Sequence, residues 1–328
     1  ILEAARLASS DSYEYMNKAK ALDKKGKKKE AVELYDKVIE LEPDNDEAYI
    51  HKGLSLTDLG KNAEAIQAFD QAIKLDPNNY DVYDHKIRAL TNLGMKQEAK
   101  EVKELATRIN KSNEYNNQGD SLNSQGRHQE AIKACNKALQ ICPDNGFAYM
   151  TMGIALSELG KKIEAIEAFD TAAKFIPNHG KLYYNKGVSL YHLERNEEAI
   201  EAYNQAIELD PDHVLPYYNR AISLKDLGRY EEALEAFDQT VEVDPYYYSA
   251  YVTKATILKD LGRIDEMIQV YDSVIELDGH PDSYCKKGLE LKDVGRKQEA
   301  LEAFNITLKL NPQHKVAKEG RASILKGL

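Results

Sequence analysis

The sequence predicts an all-α solenoid, a stack of helix–turn–helix repeats in which no single core is shared by the whole chain. Three regularities carry this. Tyr15, Tyr49, Tyr83, Tyr115, Tyr149, Tyr183, Tyr217, Tyr251 and Tyr284 follow one another at spacings of 34, 34, 32, 34, 34, 34, 34 and 33 residues. A leucine trails each tyrosine by seven residues, as Leu22, Leu56, Leu90, Leu122, Leu156, Leu190, Leu224, Leu258 and Leu291. Small residues keep the same step at two further places. A fixed period of this length marks units that pack only on their neighbours. The 328 residues, too many for one ordinary core, then need no division into globular domains.

Each element of a repeat has a local cause, and residues 46–79 show it. Tyr49, Gly53, Leu56 and Leu59 share a face at helical spacing, and Gly60 stops that first helix. Ala65, Phe69, Ala72 and Ile73 mark the apolar side of a second helix. Asp76-Pro77 ends it, because proline disfavours helix at the residue before it and cannot continue one. Each helix runs to about 13 residues, roughly 20 Å.

The small places set how closely the two helices approach. The eighth place holds Ala19, Gly53, Gly119, Gly153, Gly187, Ala221, Ala255 and Gly288, with Ile87 the exception. The twentieth holds Ala31, Ala65, Ala99, Ala131, Ala165, Ala199, Ala233 and Ala300, with Met267 the exception. Glycine inside a helix costs about 1 kcal/mol relative to alanine, so its recurrence points to a packing need.

Tyr149, Gly153, Leu156, Ala165, Phe169, Ala172 and Pro177 together resemble the pattern of the tetratricopeptide repeat family, with tyrosine where that family prefers tryptophan. The resemblance implies a right-handed superhelix of nine units: 12–45, 46–79, 80–111, 112–145, 146–179, 180–213, 214–247, 248–280 and 281–314. Residues 1–11, with Ala4, Leu7 and Ser9, fit the tail of a preceding repeat helix, so sequence upstream of Ile1 is expected. Residues 315–328 fit a capping helix whose Lys315, Lys318, Arg321 and Lys326 keep the end of the stack soluble. Two units depart from the pattern. The third is short, carries Lys103 where Phe is expected and lacks the proline, so its second helix should run toward the next and make 103–116 the least regular junction. The eighth has Met267 and Gly279 at off-pattern places.

The resemblance also places residues two, five, nine and twelve of each repeat on an inner, concave surface. Those places read polar in the N-terminal part, with Lys20, Asp23, Glu47, Asp81, Asp84, Arg88, Asn113, Asn116, Asp120 and Asn123. In the middle they read apolar and aromatic: Phe147, Met150, Ile154, Tyr184, Val188, Tyr191, Leu215, Tyr218 and Ile222. An exposed strip of this kind points to a protein or peptide partner; the alternatives are filler between helices and a seam closed by self-association. The sixth place is polar throughout, and Asn117, Asn185 and Asn219 could hold the backbone of an extended peptide as a ladder of amides. Such a ladder is known in the repeats of the O-linked N-acetylglucosamine transferase family, while Tyr-Asn-x-Gly as repeat filler is the plainer reading. The two-carboxylate clamp with which some family members grip chaperone tails needs Lys and Asn where Met16 and Lys20 stand, so that mode is not expected.

Charge and motifs narrow the classes further. A net charge of −11 argues against nucleic acid or an anionic membrane as the main partner, and no run of 18 apolar residues exists. The lysines from Lys24 to Lys29 read as a solvated turn. Lys225, Lys259 and Lys292, each followed by an aspartate, favour either an acidic ligand segment or local pairing. No spacing suggests a metal, a cofactor or a catalytic group; His51 and His85 are the nearest approach to a histidine pair. Cys135, Cys142 and Cys285 form an odd set without a Cys-x-x-Cys, which fits a reducing cytoplasm. The expected function is a non-catalytic interaction scaffold. The alternatives are the substrate-recruiting arm of a larger enzyme, such as a transferase, and a homo-oligomerisation module.

Overall fold

The computed structural model describes the backbone of residues 2–326 and the side chains of residues 11–326. The side chains of Ala4, Leu7 and Ser9, expected to close a preceding repeat, lie outside the described residues. Among the described residues the chain forms helices and no strands. In order they are α1 (Leu2–Lys24), α2 (Lys28–Leu41), α3 (Asp46–Asp58), α4 (Asn62–Leu75), α5 (Tyr80–Asn92), α6 (Lys96–Ser124), α7 (His128–Ile141), α8 (Gly146–Glu158) and α9 (Lys162–Ala173). They continue as α10 (Gly180–Tyr191), α11 (Asn196–Leu209), α12 (Val214–Asp226), α13 (Tyr230–Val243), α14 (Tyr248–Asp260), α15 (Ile264–Asp278), α16 (Pro281–Asp293), α17 (Lys297–Leu310) and α18 (Lys315–Leu325). Two compact blocks divide the chain, Ile1–Pro177 and Asn178–Leu328. In each, successive helices pack as neighbours, which makes the fold an all-α helical-repeat solenoid.

The turn inside each repeat explains the leucine rule. The carbonyl of Leu56 accepts the N–H of Lys61 at 2.9 Å, that of Leu224 the N–H of Arg229 at 3.0 Å, and that of Leu258 the N–H of Arg263 at 2.8 Å. Such a bond spans five residues and requires a left-handed residue inside it, which glycine supplies without strain. Gly60, Gly228 and Gly262 accordingly have φ between +73° and +76°. The sixth repeat lacks this glycine and forces Glu194 to φ +58°, the one such non-glycine residue among those described. Glu194→Gly is therefore expected to raise stability by about 0.5–1 kcal/mol, since left-handed backbone costs a residue with a Cβ about 1–2 kcal/mol. Urea unfolding would read this, and a loss of stability would contradict it.

The eighth-place glycines are close approaches. A Cβ on Gly53 would lie 2.5 Å from the Phe69 ring, and one on Gly187 would lie 2.5 Å from Tyr203. Phe69, Phe169, Tyr203, Phe237 and Phe304 are fully buried at one recurring place of the second helices. Between repeats, Asn45 and Asn145 cap the following helices by accepting the N–H groups of Ala48 and Ala148 at 3.0 and 3.1 Å. In the C-terminal block His280 and His314 take over that place, each accepting a backbone N–H through Nδ1 at 3.3 Å.

The third repeat follows its own solution. α6 is one uninterrupted helix of 29 residues, so residues 103–116 lie inside a helix where other repeats turn. Lys103 is exposed; Ala106 and Ile109 are buried instead, clustered with Tyr83. Ser112 Oγ donates to the Ala138 carbonyl at 2.9 Å and accepts Asn145 Nδ2 at 2.9 Å, tying the helix to the next turn. At the other end α18 buries Ala317, Gly320 and Ile324 and leaves Lys315, Lys318, Arg321 and Lys326 exposed.

Candidate functional site

In the C-terminal block α10, α12 and α14 are the first helices of successive repeats, and they carry most of the apolar strip. Its three tyrosines are engaged by ring contacts within their own repeats and by hydroxyl contacts to the next. Tyr184 stands edge-on to His213 at 5.1 Å and is hydrogen-bonded to Asn219; burial raises its phenol. Tyr218 packs against Tyr247 at 5.0 Å and Phe237 at 5.8 Å, with its hydroxyl 3.5 Å from Thr253 Oγ1. Tyr191 donates its hydroxyl to Asp226 Oδ2 at 2.8 Å, and burial together with that carboxylate pushes its phenol up to about 12. In each case the hydroxyl meets the residue 35 positions on, so these groups link one repeat to the next. Val188, Leu215 and Ile222 are half-buried.

The N-terminal block holds the rest. Phe147 and Ile154 are half-buried, but Met150, expected on an open strip, is buried. The reason is that α8 is enclosed on most sides: Ala148, Thr151, Gly153, Ala155, Leu156 and Ser157 are buried with it.

The sixth-place amides do not form a uniform ladder. Asn117 is exposed, Asn185 donates to the Lys181 carbonyl at 2.7 Å, and Asn219 serves the hydroxyls of Tyr184 and Tyr203. At the same place His51 stacks on Tyr35 at 5.7 Å and His85 leans on Phe69 at 5.9 Å. The sixth residue thus faces the buried aromatic of the preceding repeat. Two of the recurring lysines are locally paired: Lys225 with Asp226 at 3.1 Å, and Lys259 with Glu290 at 2.7 Å and Asp293 at 3.4 Å. Lys28 of the basic turn bridges Asp23 and Asp58. The three cysteines are free and buried, and burial pushes the Cys135 thiol up to about 12, which leaves it a small hydrophobe.

Open apolar surface lies outside the expected strip. A cleft of about 600 Å³ runs along α14, lined by Tyr230, Val252, Thr256 and Leu261 together with Lys225, Asp226 and Asp260. Tyr230, Val252 and Leu261 are each about two-fifths exposed, more than any residue of the expected strip. Val252 and Thr256 occupy the fifth and ninth places, so the concave-face rule covers them. As a valine and a threonine they do not continue the aromatic strip.

Sequence profiles of the tetratricopeptide repeat match residues 16–80, 112–145, 148–179, 180–213, 214–247, 248–280 and 281–314. The chain belongs to the tetratricopeptide repeat family. Among solved structures it is similar to pilF of Pseudomonas aeruginosa, at 20% identity over 66% of this chain and 99% of that one, with a TM-score of 0.50. It is also similar to MamA of Desulfovibrio magneticus RS-1, at 22% identity over 51% and 95% of the two chains and a TM-score of 0.47. The P58(IPK) tetratricopeptide repeat domain matches at 16% identity over 96% and 98%, with a TM-score of 0.35. The pilF likeness supports the repeat fold and nothing finer. A search of curated proteins returned no match. Tetratricopeptide repeats are protein-interaction modules and generally non-catalytic, which sets the function class as an interaction scaffold. No helix among the described residues is long and apolar enough to cross a membrane.

Proposed function

We propose that the chain holds a segment of a protein partner against the face shared by the first helices of its repeats. The observation that carries this is the half-buried apolar set Val188, Leu215 and Ile222 on α10 and α12, framed by Tyr191, which the next repeat holds through Asp226, and Tyr218, which packs on Phe237 and Tyr247 of its own repeat. Fixed side chains lower the ordering cost of association, because little rotamer freedom remains to be lost. Asn185 and Asn219 lie beside this set, and Phe147, Ile154 and Asn117 offer the corresponding face of the N-terminal block. The mechanism is equilibrium binding without chemistry.

The rings of Tyr184 and Tyr218 are unsuited to a clean test, since their removal would loosen the stack. Val188→Asn with Leu215→Asn is expected to weaken a native partner, isolated on the unaltered chain, by at least about tenfold, the equivalent of about 1.4 kcal/mol. Circular dichroism should show unchanged helicity. Unchanged affinity would remove this face from the account, and light scattering over a dilution series would show whether a second copy occupies it instead.

A further inference from the structure

We infer that the cleft along α14 is an anchor pocket for one large apolar side chain of the partner, with a basic residue next to it, and that Met267 holds it open. This rests on the groove reading above and assigns its anchoring point. The first support is shape. Ile257 is buried at the base of the cleft, while Tyr230, Val252 and Leu261 stand about two-fifths exposed around it. A volume near 600 Å³ is in the range of sites that take a compact ligand group.

The second support is the cause of the opening. Eight repeats place alanine at the twentieth position; the eighth repeat places Met267 there, fully buried. A methionine carries three more heavy atoms than alanine, and a close-packed interior admits them only by separating the facing helices. Two further clefts, of about 290 and 210 Å³, border the same helix α14. Clefts of about 380 and 250 Å³ also lie beside α4 and α13, where the small place keeps its alanine, but the one along α14 is wider than either.

The third support is charge. Lys259 is turned away to Glu290 and Asp293, Lys225 is held by Asp226, and Arg263 spans Glu231 and Glu266. Asp260, also in the lining, forms no ion pair among the described residues. The cations around the cleft are committed to neighbouring carboxylates, which leaves a negative excess at its mouth. An acidic segment would be repelled there, and a lysine or arginine beside the anchor would be drawn in.

The test uses the full chain against a displayed library of random 12-residue peptides, followed by titration of the synthesised binders. The expected result is enrichment of Leu, Met or Phe within two residues of Lys or Arg. Val252→Glu should then weaken those peptides at least tenfold, and Asp260→Asn about threefold with a shallower salt dependence. Met267→Ala should also weaken them, with helicity as the control on folding. Binders that are acidic, or that ignore Val252→Glu, overturn the proposal. Binders lost on Val188→Asn with Leu215→Asn but indifferent to Val252→Glu keep the groove and remove the pocket. A selection that yields no binder removes both.

Discussion

Phe237→Ala is expected to destabilise the C-terminal block by about 3–5 kcal/mol, the range for deleting a fully buried aromatic side chain. Phe237 has no exposed surface and shares its cluster with Ala221, Ala233, Ala236, Ala250 and Ala255. The cost of such a deletion depends on how far the surroundings can collapse into the space. The alanines have no side-chain rotamers with which to fill it, and Leu224, Leu234, Ile257, Leu258 and Met267 of the same cluster would close only part of it. The ring also gives Tyr218 its edge-on contact at 5.8 Å, so one end of the proposed binding face would lose its support. In a repeat array the loss should stay local, because stability is close to a sum of repeat and nearest-neighbour terms. Urea unfolding should therefore show an early transition, and limited proteolysis should cut first within α12 to α15. Phe237→Tyr is the control. Tyr35, Tyr203 and Tyr271 hold the same place in other repeats, and Thr253 stands where Asn219 serves the Tyr203 hydroxyl. Its cost should stay below about 1 kcal/mol, the size of a typical net hydrogen bond. A loss below that figure for Phe237→Ala would mean that the block relaxes around the gap.

The scaffold was legible because its causes are local. Tyrosine, leucine and small residues recur at fixed places whatever the surface carries, and the turn glycines announce the left-handed backbone that Gly60, Gly228 and Gly262 adopt. The binding face was legible only in part. Helical spacing tells which residues share a side of their own helix, but not how far the following helix covers them. Tyr184, Tyr191 and Tyr218 read as an open strip, yet each hydroxyl reaches a partner 35 positions on. Met150 read as exposed and is buried, because α8 is enclosed on most of its sides. The cleft beside α14 had one trace in the sequence, Met267 at a place otherwise held by alanine. The trace marked a packing exception; only the helix positions turn it into open surface at Val252.

Lys111→Pro is expected to cost about 3 kcal/mol or more, although it introduces a residue the repeat pattern asks for. Lys111 holds the place that Pro77 and Pro143 occupy in neighbouring repeats, and its own side chain is exposed. In a regular repeat the proline sits in a four-residue turn, as in 76–79 between α4 and α5. The third repeat is two residues short of the usual 34, so no chain is left for that turn. The helix continues through the gap instead, and α6 buries Ala106 and Ile109 before it and Ser112 and Gly119 after it. A proline at 111 removes a backbone donor inside this helix and clashes with the preceding turn, with no spare residues to rebuild a loop. Breaking α6 would also pull Ser112 away from the Ala138 carbonyl and leave Asn145 without one of its acceptors. Helicity should fall, and unfolding of the N-terminal block should begin at lower urea. The same proline accompanied by two inserted residues ahead of Ser112 should recover much of the loss, because the four-residue turn can then form. If the single substitution is tolerated as well as the lengthened one, chain length is not what makes α6 continuous. The missing proline alone would then account for the fused helix, and the third repeat would be an ordinary member of the array.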